Sequence, residues 1–203
     1  MKAPVVSLTG NDDAAVSMAE AALVRGDLVV IPTETVYGLV ADPRVPGSIE
    51  QIYKAKKRDR GKPLQLLVSG VDVISRMGFE LNQMEHRLAD AFWPGGLTLI
   101  VESGGRSEGF RVPDSAIAVA IASRIGGALL ATSANSSGDA PALTAAEAAA
   151  CLGESAALIL DGGHVRGGVS STVARVDAEG HIVVLREGAI TRDVLRTVGD
   201  VHA

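Results

Sequence analysis

The sequence predicts an α/β fold, a sheet with helices packed on it, and three observations carry that reading. Short apolar runs of strand length alternate with segments of helical period through most of the chain. Polar clusters stand just beyond several of those runs, at the strand ends where open α/β sheets place ligands. Hydrophobic residues make up 47% of the chain and aromatics only 3%, so the core is aliphatic.

Residues 5–8 read as the first strand. Asn11 or Asp12 caps a helix through Arg25, with Ala14, Met18, Ala21 and Ala22 at helical spacing and Gly26 at its end. An apolar strand at 28–31 must stop at Pro32, which has no N–H for a ladder. Thr33, Glu34, Thr35 and Tyr37 then read in two ways: as ligand-facing groups at the strand end, or as a capped turn with Tyr37 half-buried. Ser48 caps a helix that runs into a basic cluster, and 64–68 is a buried strand after Pro63.

Asn82 starts a helix ending near Phe92, ahead of Trp93-Pro94-Gly95-Gly96 and a strand at 97–101. Glycine and charge dominate 103–108, read as a mobile loop that closes over substrates. Asp114 or Ser115 caps an apolar helix over 116–125, and a strand at 129–132 delivers Ser133 and Asn135. Thr144 and Glu147 form a capping box. A strand at 158–160 leads to Gly162, Gly163, Gly167 and Gly168, a flexible turn. Strands at 171–176 and 182–185 follow, with an antiparallel pair expected near the end, and Thr191 caps a last helix.

The 203 residues fit one domain, 1–203, without repeats or internal boundaries. No apolar run approaches the roughly 18 residues of a spanning helix, so no membrane partner and a cytoplasmic location are expected. Cys151 is the one cysteine, expected as a small buried core residue. The four histidines, His86, His164, His181 and His202, are scattered and read as surface or structural residues.

Net charge is −5, which argues against a general nucleic-acid coating surface. Six of the nineteen Lys and Arg nevertheless fall between Lys54 and Lys62. Phosphate-loop, dinucleotide-binding, nucleophile-elbow and zinc-protease motifs are missing, which removes the enzyme classes built on them. Polar groups at strand ends remain. Ser133 and Asn135, one residue apart, point to the same face of an extended chain. Lys56 and Arg58 share that spacing, but a helix would turn them about 200° apart. If both act on one ligand, the helix ends by about Lys56; otherwise Lys54 and Arg58 form a solvated helical face.

Several motifs occur in order over about 27–192: PTETVYGL, K-x-R (Lys56, Arg58) ahead of Lys62-Pro63-Leu64, WPGGLTL, R-V-P-D, TSAN-x-SG, and S-T-V before L-R-x-G-A-I. Together they resemble the YrdC family of threonylcarbamoyl-AMP synthases. The resemblance implies a twisted α/β fold with a positively charged cavity. It implies a reaction of L-threonine, bicarbonate or CO2 and ATP, with Mg²⁺ accompanying the nucleotide and pyrophosphate released. A downstream complex then transfers the threonylcarbamoyl group to an adenosine of tRNA.

Carried over by position, Lys56 and Arg58 are the catalytic cations. Arg58, Lys62, Ser133, Asn135 and Arg186 hold the nucleotide, and Thr33, Arg111 and Ser171 hold threonine. The resemblance names no protein ligand for a metal. Four positions depart from the family pattern: Ser115 where a histidine usually follows R-x-P-D, Ser170 for a frequent Glu, apolar Leu67 for a polar residue, and Glu187 for the Pro of R-P-G. Two further readings accompany the synthase. One is a carbamoyl-adenylate chemistry like that of hydrogenase maturation proteins. The other is a non-catalytic module that binds tRNA or double-stranded RNA weakly, and more weakly as salt rises.

Overall fold

A computed structural model describes residues 2–10, 12–57, 59–61 and 63–202. Arg58 and Lys62 therefore lie outside the described residues, as does Asn11. The first half of the chain forms β1 (Val5–Ser7), α1 (Asp13–Val24), β2 (Val29–Ile31), β3 (Gly38–Ala41), α2 (Ser48–Lys56), β4 (Gln65–Val68) and α3 (Val71–Arg76). Next come α4 (Gln83–Phe92), β5 (Leu97–Ser103), β6 (Arg106–Arg111), α5 (Ala116–Arg124) and β7 (Ala128–Ser133). The remainder is α6 (Ala145–Leu152), β8 (Leu158–Asp161), β9 (Thr172–Val176), β10 (Ile182–Arg186), α7 (Arg192–Leu195) and β11 (Val201–His202).

The strands form a single twisted mixed sheet in the order β1-β8-β2-β3-β7-β4-β6-β5-β9-β10-β11. Its two faces are covered unequally. On one side α1 and α5 pack over Val29, Ile31, Val40, Leu67 and Leu129. On the other, Leu39, Leu66, Leu99, Phe110 and Leu130 join residues of α2, α3, α4, α6 and α7 in a larger core. Strand alternation divides these sets, since successive side chains point to opposite faces. The helices of the first side cover only part of their face, and there residues of β7, β4, β6, β5 and β9 line a cavity.

Most expected elements are present, with instructive differences. Asn82 and Glu85 make a reciprocal capping box on α4, and Thr144 and Glu147 make another on α6. Ser115 caps α5 by accepting from the Ala118 N–H and also donates to the Pro32 carbonyl (3.1 Å), tying the helix start to the PTET turn. Gly47 takes the N-cap position of α2. Ser48 is the helix's first residue, and its hydroxyl bonds instead to the Asp42 and Val45 carbonyls.

Residues 103–108 are not a mobile loop. They belong to the β5–β6 hairpin, with Ser103 paired to Arg106, Glu102 to Ser107 and Val101 to Glu108, and Gly104 and Gly105 supplying the positive φ of the turn. The strands β3 and β6 and the helix α3 escape the sequence reading because each is a short run interrupted or flanked by glycine and charge. Cys151 is exposed, because α6 buries its Ala145, Ala148 and Leu152 stripe and turns Cys151 away.

Candidate active site

A cavity of about 640 Å³ opens on the uncovered part of the α1/α5 face. Its floor is the outward set of five adjacent strands: Ala131 and Ser133 of β7, Gln65 of β4, Gly109 and Arg111 of β6, Thr98 and Ile100 of β5, and Val173 of β9. Thr35 and Val36 close one side, and Ser170, Ser171, Leu185 and Arg186 another. Glycine at 109 keeps the floor open, since a Cβ there would stand 3.1 Å from Ile100 Cδ1 and 3.4 Å from Thr98 Cγ2.

At one rim the end of α2 meets the end of β7. The helix stops at Lys56 because Lys57 adopts a left-handed conformation (φ 49°), the usual way to end a helix and an uncommon one for a residue other than Gly or Asn. That is the ending required if Lys56 and Arg58 are to serve one ligand. Lys56 is 2% exposed. Its ammonium donates to the Ser133 carbonyl, to Asn135 Oδ1 (2.9 Å) and to Ser133 Oγ (3.4 Å). Ser133 Oγ in turn donates to Asn135 Oδ1 (2.6 Å), and Asn135 Nδ2 to the Asp139 carbonyl (2.6 Å). Lysine, serine and asparagine thus form one network, with Ser133 on the cavity wall.

Arg111 is the second centre. It is 3% exposed, donating from Nε to the Gly95 carbonyl (2.9 Å) and from Nη2 to Glu34 Oε1 (2.6 Å) and Thr35 Oγ1 (2.9 Å). Nη1 makes no hydrogen bond among the described residues, and Arg111 lines the cavity. Glu34 Oε2 is buried without a partner among those residues. Thr33 is used by the turn itself: its hydroxyl donates to the Val36 carbonyl (2.6 Å) and accepts from the Thr35 and Val36 N–H groups (3.3 Å each). Thr35, not Thr33, stands on the lining. Tyr37 is fully buried, donating to the Gly163 carbonyl (2.7 Å) and accepting from the Gly162 N–H (3.1 Å).

Opposite the lysine network, Arg186 Nη2 donates to the Ser171 carbonyl (2.7 Å) and lies 3.3 Å from Ser171 Oγ. Thr98 Oγ1 lies 2.9 Å from Ser171 Oγ and 2.6 Å from Gln65 Oε1, extending this chain of polar groups across the floor. Sequence reasoning did not assign Gln65 and Thr98 to the site. The available signal was a polar residue beside apolar ones in a strand, as Thr98 stands between Leu97 and Leu99.

Of the expected site residues, the structure brings Arg111, Ser133, Ser171 and Arg186 onto one cavity and seats Lys56 and Asn135 at its β7 rim. Arg58 and Lys62, the remaining two phosphate-binding candidates, lie outside the described residues. Among the departures, Ser170 lines the cavity, Glu187 pairs with Arg192 (3.3 Å), and Leu67 is buried under the helices rather than on the lining.

A sequence model of the family described as "Telomere recombination", Sua5/YciO/YrdC, matches residues 21–188. The chain belongs to the Sua5/YciO/YrdC family. It is 33% identical over 204 residues to a threonylcarbamoyl-AMP synthase of Bacillus subtilis, covering 95% of this chain and 59% of that one. Over 196 residues it is 32% identical to a putative threonylcarbamoyl-AMP synthase of Mycobacterium tuberculosis, covering 91% and 89%. The solved structure of Pyrococcus abyssi Sua5 complexed with L-threonine superposes with a TM-score of 0.87 at 27% identity, covering 98% of this chain and 62% of that one. The chain therefore spans about six tenths of the Bacillus and Pyrococcus proteins and most of the mycobacterial one. Family membership agrees with the order of the sequence motifs, six of which meet in pairs: PTET and R-V-P-D at Arg111, K-x-R and TSAN at Lys56, and S-T-V and L-R-x-G at Ser171.

Proposed function

We propose that this chain is a threonylcarbamoyl-AMP synthase, joining L-threonine, bicarbonate or CO2 and ATP and releasing pyrophosphate. The observation that carries the proposal is a cavity with guanidinium groups at two of its sides and hydroxyls between them, in a member of a family with relatives named for this activity. The threonine amine takes up CO2 to give a carbamate and release a proton. A carbamate oxygen then bonds to the α-phosphorus of ATP as the bond to the pyrophosphate oxygen breaks. No protein nucleophile is needed, so positioning and fixed positive charge supply the catalysis.

In this reading Arg111 receives the threonine carboxylate through Nη1, held in place by Glu34, Thr35 and the Gly95 carbonyl. Ser171, presented by Arg186 and Thr98, is a further threonine contact. Lys56, fixed by Ser133 and Asn135, brings a cation to the phosphate end. Thr33 acts through the turn that presents Thr35. The described lining carries no Asp or Glu, so these residues do not build a protein-held Mg²⁺ site. Mg²⁺ would accompany the triphosphate and supply charge neutralisation there. The product passes to a complex that modifies a tRNA adenosine.

The test is incubation with ATP, L-threonine and ¹³C-bicarbonate, followed by mass spectrometry of the nucleotides. A threonylcarbamoyl-AMP bearing one ¹³C supports the proposal; AMP or ADP as the only product overturns it.

A further inference from the structure

Far from the cavity, at the opposite end of the β9–β10 hairpin, Asp177, His181 and His202 converge, with one ligand atom of each lying within 4.8 Å of the others. The hairpin strands are five residues each, so this end stands about 15 Å from Val173 and Arg186 at the cavity. Three chain segments contribute: the tight turn after β9, the residue before β10, and the edge strand β11, which runs parallel to β10 with Val183 opposite His202.

The arrangement is built, not accidental crowding of exposed side chains. Asp177 Oδ1 accepts the backbone N–H groups of His181 (2.8 Å) and Glu179 (3.1 Å), which fixes the carboxylate and leaves Oδ2 aimed at the His181 ring. Asp177 Oδ2 stands 3.3 Å from His181 Nδ1. That is long for a charge-assisted hydrogen bond, yet it matches the ligand-to-ligand edge of about 3.3 Å in a tetrahedron with metal bonds of about 2.0–2.1 Å. The His181 and His202 rings are stacked, 3.9 Å apart and nearly parallel (16°), so the stack has to open for both imidazoles to turn an in-plane nitrogen toward one ion. Arg192 approaches His202 only at its backbone carbonyl (3.2 Å), leaving the ring nitrogens unopposed by that cation.

We propose that Asp177, His181 and His202 bind a divalent first-row transition metal, with Zn²⁺ as the reference ion, at a site separate from the cavity. Two imidazoles and one carboxylate suit Zn²⁺, Co²⁺, Ni²⁺ or Cu²⁺ and select against Mg²⁺ and Ca²⁺, which favour oxygen ligands. Bringing ligand atoms that lie within 4.8 Å of one another to a spacing of about 3.3 Å requires the His202 ring to shift and rotate out of the stack, which its exposure and broad second torsion allow. Three protein ligands leave a fourth position for water. The bound ion clamps the short edge strand β11 to the hairpin, so metal binding and order of the C-terminal segment are linked.

Co²⁺ titration of the full chain, followed by visible absorption, tests this without any assay of activity. One Co²⁺ per chain should bind with a tetrahedral d–d band, Zn²⁺ should displace it, and Mg²⁺ in millimolar excess should not. His181→Ala and His202→Ala should each weaken binding about ten-fold or more, while His86→Ala and His164→Ala leave it unchanged. Zn²⁺ should raise the thermal midpoint of the parent chain but not of the His181→Ala/His202→Ala pair. Equal Co²⁺ binding by the parent and the doubly substituted chain, or no binding by either, overturns the proposal. Circular dichroism of each variant separates loss of the site from loss of the fold.

Discussion

Lys56 Nζ and Asn135 Oδ1 stand 2.9 Å apart although 79 residues separate them, and the two motifs that carry them meet at the rim of the cavity. Lys56 is buried, and its ammonium is held by an amide oxygen, a carbonyl and a hydroxyl. Replacing it therefore affects folding as well as chemistry.

Lys56→Met, of similar length but without the charge, is expected to lower threonine-dependent pyrophosphate release by about 10²-fold or more. It should also reduce stability by about 1–3 kcal/mol, because Asn135 Oδ1 and the Ser133 carbonyl lose their common donor in a buried place. Steady-state kinetics and urea unfolding of the same preparation read both effects. Unchanged stability would show that the ammonium is not engaged in this network.

Arg111→Ala removes the partner of Glu34 and leaves its carboxylate uncompensated beside Thr35. A loss of about 3–5 kcal/mol in unfolding free energy is expected. Glu34→Gln keeps an oxygen acceptor for Arg111 and should cost less, about 1–2 kcal/mol, while raising KM for threonine more than it lowers kcat. Equal stability of the two variants would contradict the assignment of Glu34 as the group that holds Arg111.

Much of this was legible in the sequence, for reasons specific to each element. The caps at Asn82, Thr144 and Thr191 announce themselves because a side-chain oxygen must satisfy N–H groups at a helix start. The end of α2 at Lys56 is one of the two alternatives the sequence left open, the one in which Lys56 and Arg58 serve a single ligand. What stayed hidden depends on contacts distant in sequence. That α1 and α5 cover only part of one sheet face, and so leave Gln65 and Thr98 in a cavity while burying Leu67, is settled by strand order, which no local pattern encodes. The β5–β6 hairpin was hidden because Gly104, Gly105 and flanking charges resemble a loop, while ladder pairing with Val101 and Ile100 makes it a sheet. His181 and His202 look unrelated until β11 returns beside β10.

Tyr37 gives a pH signature. Burial pushes its phenol from the ordinary value near 10 up to about 12, with the Asp161 carboxylate adding to the shift. Because the folded-state pKa is raised, this contribution is fully present below pH 10 and is lost as pH climbs towards 12. The loss approaches about 3 kcal/mol at the upper end. Tyr37→Phe should remove that slope between pH 10 and 12 while lowering stability at neutral pH by about 1–2 kcal/mol, since the Gly163 carbonyl loses its donor. Parallel slopes in the two proteins, measured by denaturant unfolding, would contradict the role given to the buried phenol.

Gly188 tests the other rim. A Cβ there would strike the Ser170 carbonyl oxygen and stand 2.6 Å from the Ser171 carbonyl carbon. Gly188→Ala should displace the Ser170–Ser171 backbone, whose Ser171 carbonyl Arg186 holds, lowering kcat/KM for threonine about ten-fold or more. Gly180→Ala serves as the control: its backbone has positive φ (88°), a Cβ there meets nothing within 4 Å, and it sits at the far end of the hairpin. It should cost stability without altering kcat/KM, and equal kinetic losses in both would contradict the placement of Ser171 in the site.

If the cavity positions the threonine carbamate for attack on ATP, pyrophosphate release from ATP and bicarbonate must need L-threonine and Arg111. Measured with L-threonine present and absent, in the parent chain and in Arg111→Ala, release is expected to depend on threonine and to be nearly abolished by Arg111→Ala at low threonine. Release at the same rate without threonine, or no release under any condition, would contradict it.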